Sequence, residues 1–361
     1  VGKGERLGPI WQEIHDSFLT RIREGNLKPD TVLPPEQQIA AEWGVSRLTA
    51  HRALYELQRN GHVQRKRKVG TVVLPPRSAE TLTVSAAFFQ VTEFYQASLL
   101  SSIRQSLEDD VRLSYVDTGH DPAREAAVLR RAAKESDGIV IFPTCHPSNT
   151  PVINKLAQSG KFIVCVDRVP EGAAVDAVVT DNYGATRQVL AQLAERGHRR
   201  IAHFTDMEPD VSSTHERLQA YLDQMEAIGL PAGPLIRTFP YIAPDTHREY
   251  LQMIQLVSDA LTVLLSRPDP PTALFCLRDH YAAAAVEACR SLGVTLPDDL
   301  EIVAFIDRPA SALPIPDYVH RIEQDVESIG RIATERLLAR REGRPMEPET
   351  IRVPARTPVI R

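Results

Sequence analysis

The sequence has 361 residues, 43% hydrophobic and 25% charged, which suits two or three folded domains and excludes a disordered chain. Its net charge of −5 argues against a nucleic-acid partner only until it is divided along the chain. Residues 1–77 hold 13 Lys and Arg against 8 Asp and Glu, a balance of +5, and the remainder holds 29 against 39, a balance of −10; a basic head on an acidic body points one end at a polyanion.

No apolar stretch reaches 18 residues and no signal-peptide pattern is read, so a cytoplasmic protein without a membrane partner is expected. Cys145, Cys165, Cys276 and Cys289 are far apart and lack metal-ligand spacing. They read as buried, reduced thiols, with no metal and no cofactor implied.

In chain order, Ile10, Ile14, Phe18 and Ile22 recur at i+4 and predict an amphipathic helix ended by Gly25. A short second helix follows "LPPE" and stops at Gly44. Ser46 is placed to cap a third helix, whose apolar stripe is Ala50, Ala53, Leu54 and Leu57. "GHVQRKRKVGTVV" reads as two short strands with Arg65, Lys66, Arg67 and Lys68 at their tip, suited to phosphates or a minor groove. A helix, a glycine turn and a helix opening Ser-Arg-x-Thr-x-His-Arg are what major-groove reading needs, with polar side chains at the front of the second helix.

The run "PIWQEI … REGNLKPDTVLPPEQQIAAEWGVSRLTAHRALYELQRNGHV … VGTVV" resembles the GntR-type winged helix-turn-helix across residues 9–74. The resemblance implies that Arg47, Thr49 and His51 face double-stranded DNA and that the stretch around Gly70 is the wing. Glu36, Ser46, Arg52, Lys66, Arg67, Lys68 and Thr71 complete the expected DNA-binding set. Two residues depart from the pattern: Pro35 stands where a capping serine is usual, and His51 where arginine is common.

Beyond a linker at 75–81, apolar runs at 82–88, 112–116, 138–142, 162–166, 175–179, 200–204, 235–239, 273–277 and 301–306 alternate with helix-length segments. That alternation predicts an α/β body of doubly wound parallel sheets, and some 280 residues suit two lobes better than one sheet. Residues just after such strands face a cleft. Asp167, Asp279 and Asp307 hold such positions and could accept from paired hydroxyls, with Arg217 as a donor fork; for Asp279 the plainer reading as a helix cap stays open.

"CVDR", "VTDNYGATRQVLAQLAERGHRRIAHF", "RLQAYLDQMEAIGLP", "PTALFCLRDHYAAAAVEACRSLGVTLPDDLEIVAFID" and "IEQDVESIGRIATERLL" resemble, in order, the LacI/GalR-type effector domain. Joined to a GntR-type head, they resemble the AraR arabinose-repressor group. The resemblance implies a two-lobed, periplasmic-binding-protein-like fold at 82–361, with one lobe at about 82–178 and 326–343 and the other at about 179–325 and 344–361. It places Asp167, Arg168, Arg217, Asp279, Asp307 and Gln324 at the ligand, with Phe89, Phe94, Tyr95 and, more loosely, Tyr241 as aromatic walls. Arg278 stands where asparagine is common; a cation there either favours an acidic ligand or neutralises the aspartates.

The function so implied is a homodimeric, ligand-responsive repressor, released from operator DNA by a sugar or sugar derivative. An enzyme fused to the same head is the competing class. Against it, no P-loop, G-x-S-x-G, H-E-x-x-H or Cys/His cluster occurs, and the lysines after residue 77, namely Lys134, Lys155 and Lys161, lack a cofactor-binding context.

Overall fold

A computed structural model describes residues 10–59, 62–66, 69–74, 82–89, 91–208, 210–230, 233–240, 247–306, 315–342, 347–358 and 360. The chain divides into two compact units, residues 1–82 and 83–361. In the first, α1 (Ile10–Arg23), α2 (Glu36–Trp43) and α3 (Arg47–Arg59) are followed by β1 (Val63–Lys66) and β2 (Gly70–Val73). The i+4 stripe of α1 is the core face: Ile14 and Phe18 are buried with Ala50, Ala53, Leu54 and Leu57 of α3. α2 stops because Gly44 turns left-handed, φ 64°, a conformation that glycine adopts without strain. Ser46 Oγ then accepts from Thr49 N at 3.1 Å, the cap expected of it, whereas Pro35 gives α2 no side-chain cap. β1 and β2 are antiparallel, Val63 opposite Val73. At their turn Gly70 has φ 118°, and a Cβ there would meet Val32 at 3.1 Å.

The second unit alternates strand and helix: β3 (Thr83–Phe88), α4 (Phe94–Ser106), β4 (Arg112–Asp117), α5 (Pro122–Glu135), β5 (Gly138–Ile141), α6 (Thr150–Gln158), β6 (Phe162–Val166), β7 (Asp176–Thr180), α7 (Asn182–Glu195), β8 (Ile201–Asp206), α8 (Ser212–Ala227), β9 (Ile236–Phe239), α9 (His247–Leu265), β10 (Ala273–Cys276), α10 (Asp279–Leu292), β11 (Glu301–Phe305), β12 (His320–Ile322), α11 (Val326–Arg341) and β13 (Thr350–Val353). Runs such as Phe162–Val166 and Ala273–Cys276 are buried almost throughout, which parallel strands covered by helices on both faces require. They form two sheets, ordered β13-β7-β6-β5-β3-β4 and β12-β11-β10-β8-β9, and every described pairing within them is parallel. All four cysteines are buried thiols.

Each sheet defines a lobe, and the chain passes between them after β7, after β12 and after β13. The three crossings bond to one another: Asp181 N donates to Val353 O at 2.8 Å, and Glu323 and Arg356 exchange backbone bonds of 2.9 and 2.8 Å. One boundary drawn from the sequence needs correction. Residues 344–361 were expected in the second lobe, but Thr350–Val353 pair with Ala177–Thr180 in the first sheet. The tail joins the second lobe only beyond the crossing, where Ile360 is buried beside Leu190 and Leu193.

α11 is held to the first sheet by a buried ion cluster. Asp176, at the start of β7, accepts from Arg336 Nη2 at 2.7 Å and from Arg340 Nε, and from the backbone N of Glu349 at 3.1 Å. Removing one partner of such a cluster strands the other charges out of water. Asp176→Ala should therefore destabilise the second unit by about 3–5 kcal/mol, read from its urea unfolding midpoint, and a loss under 1 kcal/mol would show the cluster to be dispensable.

His203 in β8 stacks on Phe275 at 4.6 Å and on Tyr221 at 4.9 Å, and burial, against a hydrogen bond to the Phe275 carbonyl, lowers its pKa from 6.5 to about 4. The fold therefore binds a proton less readily than the unfolded chain does. Its contribution is complete above pH 6.5 and is lost as pH falls toward 4. That is about 3 kcal/mol, so His203→Leu should lose correspondingly less stability than the parent between pH 7 and pH 4. Equal losses in both proteins would refute the assignment.

Candidate functional site

In the first unit the sequence-derived DNA face is organised around one carboxylate. Glu36, at the start of α2, accepts from Arg47 Nε at 3.0 Å and Arg65 Nη2 at 2.5 Å, and lies 2.8 Å from His51 Nδ1. The His51 hydrogen bond, with those of Arg47 and Arg65, outweighs desolvation and lowers its pKa to about 2. Glu36 is itself buried, so the structure places it behind this face while Arg47 and His51 remain largely exposed. Ser46 and Thr49 are tied together, Oγ to Oγ1, at 2.8 Å. Arg52 lies over the Trp11 ring at 4.4 Å, packed against α1. Lys66 Nζ approaches Asp30 at 3.9 Å, with Gly70 and Thr71 on the facing strand. Arg67 and Lys68 lie outside the described residues. Leu48 was not anticipated: it is 75% exposed beside Arg47, where a strictly amphipathic helix would carry a polar residue.

In the second unit the carboxyl ends of both sheets meet at a cleft. Eight of the sequence-derived ligand residues line it: Phe89, Tyr95, Asp167, Arg168, Arg217, Arg278, Asp279 and Gln324. Tyr241 and Asp307 lie outside the described residues. Phe94 does not line it; as the first residue of α4 it is 42% exposed, while its neighbour Tyr95 is buried.

From the first lobe, Asp167 directly follows β6, and its φ of 68° is unusual for a non-glycine residue and marks a local constraint that functional sites often carry. Arg168 Nε donates to Asp167 Oδ2 at 3.2 Å, and its guanidinium lies over Phe142 at 4.7 Å and Phe89 at 5.7 Å. Arg168 Nη1 is buried without a hydrogen-bond partner, a donor left over for an incoming acceptor. The loop after β5 is fixed from below: Glu125 accepts from Thr144 N at 2.7 Å, Thr144 Oγ1 at 2.9 Å and Asn149 Nδ2 at 2.7 Å.

From the second lobe, Arg217 on α8 lies 3.5 Å over the Phe305 ring and donates to Asn182 Oδ1 and the Leu277 carbonyl, both at 2.8 Å. Arg278 is the N-cap of α10, so Asp279 is not the cap; its Oδ1 lies 3.0 Å from His280 Nδ1. Arg278 donates through Nε to Asp206 Oδ2 at 2.5 Å and through Nη2 to Glu208 Oε2 at 3.2 Å. At the crossing, Gln324 Oε1 accepts from Thr180 Oγ1 at 2.6 Å and Tyr95 Oη at 3.5 Å.

The lobes also touch directly. Val169 N donates to Ser212 Oγ at 2.9 Å, Arg352 pairs with Glu216 through two bonds of 2.8 Å, and His120 Nε2 lies 3.5 Å from Glu208 Oε1. Burial, reinforced by Arg168 and Arg278, lowers the His120 pKa to about 4, and burial raises that of Glu208.

The sequence reading missed Glu93, Phe142, Ser213, Thr214, Leu277, His280 and Phe305 of the lining. Phe142 was within reach of the strand-end rule, since it follows β5 directly. The hydroxyls of Ser213 and Thr214 open α8, whose start carried no recognisable cap. The combination can hold a polyhydroxylated ring: carboxylates and arginines to hydrogen-bond hydroxyls, aromatic faces to cover carbon. Among the described residues no group of three or more His, Cys, Asp or Glu is arranged to hold a metal ion.

Comparison with known proteins follows the same division. Residues 11–73 match the family described as bacterial regulatory proteins, gntR family, and residues 190–361 match the periplasmic binding protein-like domain. The arabinose metabolism transcriptional repressor of Geobacillus stearothermophilus is 25% identical over 84% of this chain and 83% of its own length. Among solved structures, the transcriptional regulator CelR in complex with cellobiose superposes with a TM-score of 0.65 at 22% identity, over 90% of this chain and 98% of that one. The lac repressor dimer bound to operator and an anti-inducer gives 0.63 at 16% identity, over 76% and 92%.

Proposed function

We propose that this chain, which joins a GntR-type winged helix-turn-helix to a periplasmic-binding-protein-like domain, is a ligand-responsive transcriptional repressor whose effector is a sugar or sugar derivative. The observation that carries this reading is the convergence of Asp167, Arg168, Arg217 and the rings of Phe89, Tyr95, Phe142 and Phe305, from both lobes, on one cleft. The relatives are transcriptional regulators rather than enzymes, which favours a sensor over a catalyst. A repressor of arabinose metabolism among them favours repression of carbohydrate genes.

In this reading the effector sits between the lobes and is bound more tightly by the closed arrangement, so its binding shifts the population toward closure. Two copies of the chain hold paired half-sites about one helical turn apart, and the shifted population grips operator DNA less well. The third-helix residues Arg47, Thr49 and His51 meet base edges, Leu48 suits a thymine methyl, and the wing meets phosphates. Glu36 acts from behind by setting the directions of Arg47 and His51. Among the described residues no helix is long and apolar enough to cross a membrane, and a DNA partner places the protein in the cytoplasm.

Two measurements test this. In a thermal-shift screen of pentoses, hexoses and their derivatives, a ligand at about 100 times its Kd should stabilise the second unit by about 2.7 kcal/mol. Asp167→Ala and Arg217→Ala should each abolish the shift; its survival in both would exclude the cleft as the effector site. On the chain's own upstream DNA, Arg47→Ala should cost about 1–3 kcal/mol and relax base preference at one position. Lys66→Ala should weaken all sequences alike and flatten the salt dependence by about one unit. Identical behaviour of the two variants would refute the division of roles.

A further inference from the structure

A guanidinium lining a sugar cleft ordinarily reads as an anchor for a phosphate or carboxylate on the ligand. Arg278 is so placed, but its surroundings give it other work. Its Nε is taken by Asp206, whose side chain is fully buried and also accepts from the Tyr281 hydroxyl. Its Nη2 is taken by Glu208. Two carboxylates thus answer one guanidinium, and the local balance is negative before any ligand arrives. Glu208 also lies within electrostatic range of Arg168, one of two further lining cations with Arg217; the charge of Arg168 already pairs with Asp167, which leaves its spare Nη1 donor to an uncharged acceptor.

An anionic ligand that engages Arg278 through Nη2 would have to displace Glu208 from it. The displaced carboxylate would keep the attraction of Arg168 but lose its hydrogen bond to Arg278. It is mostly buried, and its neighbour across the cleft, His120, is held neutral near pH 7 by burial and by the two arginines. A neutral ligand requires no such exchange, because its hydroxyls can pair with lining groups such as Asp167 and leave the ion pair behind Arg278 standing.

From this arrangement, and resting on the reading of the cleft as the effector site, we propose that Glu208 is a specificity-determining residue: by holding Arg278 it excludes anionic ligands and admits uncharged, polyhydroxylated ones. Asp206 anchors the guanidinium from beneath, and His120 brings the first lobe against the same carboxylate. Charge selection and lobe contact therefore meet at one side chain.

Calorimetric titration of the full chain tests this with glucose 6-phosphate, glucuronate and inorganic phosphate as anionic probes. The near-isosteric Glu208→Gln keeps the volume and frees Arg278, so at least one of the three should bind at least tenfold tighter than to the parent protein. Glu208→Asp should bind them as the parent does, and adding Arg278→Asn to Glu208→Gln should abolish the gain. Tight binding of any of these anions by the parent, or no gain for any of them in Glu208→Gln, overturns the proposal. Failure of the cleft reading is seen separately, as neutral-sugar binding that survives Asp167→Ala.

Discussion

In both sheets every described pairing is parallel, so the carboxyl ends of the strands in each lobe lie along one edge, and three mutually bonded crossings hold those two edges against each other. Everything at the cleft follows from this constraint. The residue that ends a strand there must leave the sheet toward the other lobe, and helices that follow begin there, with unpaired backbone donors facing the same space. Asp167 follows β6, Phe142 follows β5, Arg278 holds the N-cap position of α10, and Ser213 and Thr214 lie in the first turn of α8. Residues from Phe89 to Gln324, 235 positions apart in sequence, line one cleft for that reason.

The head obeys a different economy of charge. Its positive balance is spread over α3 and β1, elements that would repel if left bare. Glu36 sits where Arg47, Arg65 and His51 converge and holds a hydrogen bond or close contact with each. A carboxylate in that position lowers the cost of concentrating cations on one face and fixes the angles at which Arg47 and His51 leave the helix. A surface meant for a polyanion is thus arranged by a buried anion.

Much of this was legible in the sequence, and the exceptions have physical reasons. The nine apolar runs all became strands within one or two residues; most are buried on both faces and must be apolar throughout, whereas β4 and β9 are partly exposed edge strands. β12 and β13 were invisible: His320–Ile322 and Thr350–Val353 are short edge strands with charged, partly exposed residues, and nothing in them alternates cleanly. Missing β13 misassigned the tail. In the cleft, the rule that side chains after strands face the ligand pointed to Asp167 and Asp279, and a resemblance pointed to Arg217, Arg278 and Gln324. Neither could find Asp206 and Glu208, which bond to a residue 70 or more positions away. Glu36 was read as facing DNA for the same reason, since its partner Arg65 is 29 positions distant.

The position of the crossings has a mechanical consequence. β7 and β13 stand at one edge of the first sheet and β4 at the other, five interstrand spacings away, or about 24 Å. His120 follows β4, so it rides at the far end of an arm whose pivot is the bonded crossings. A rotation of roughly 10° about that pivot would carry it by about 4 Å, while Arg352 and Glu216, beside the pivot, would scarcely part. Small angular changes between the lobes are thus amplified into making or breaking contact at the distal rim.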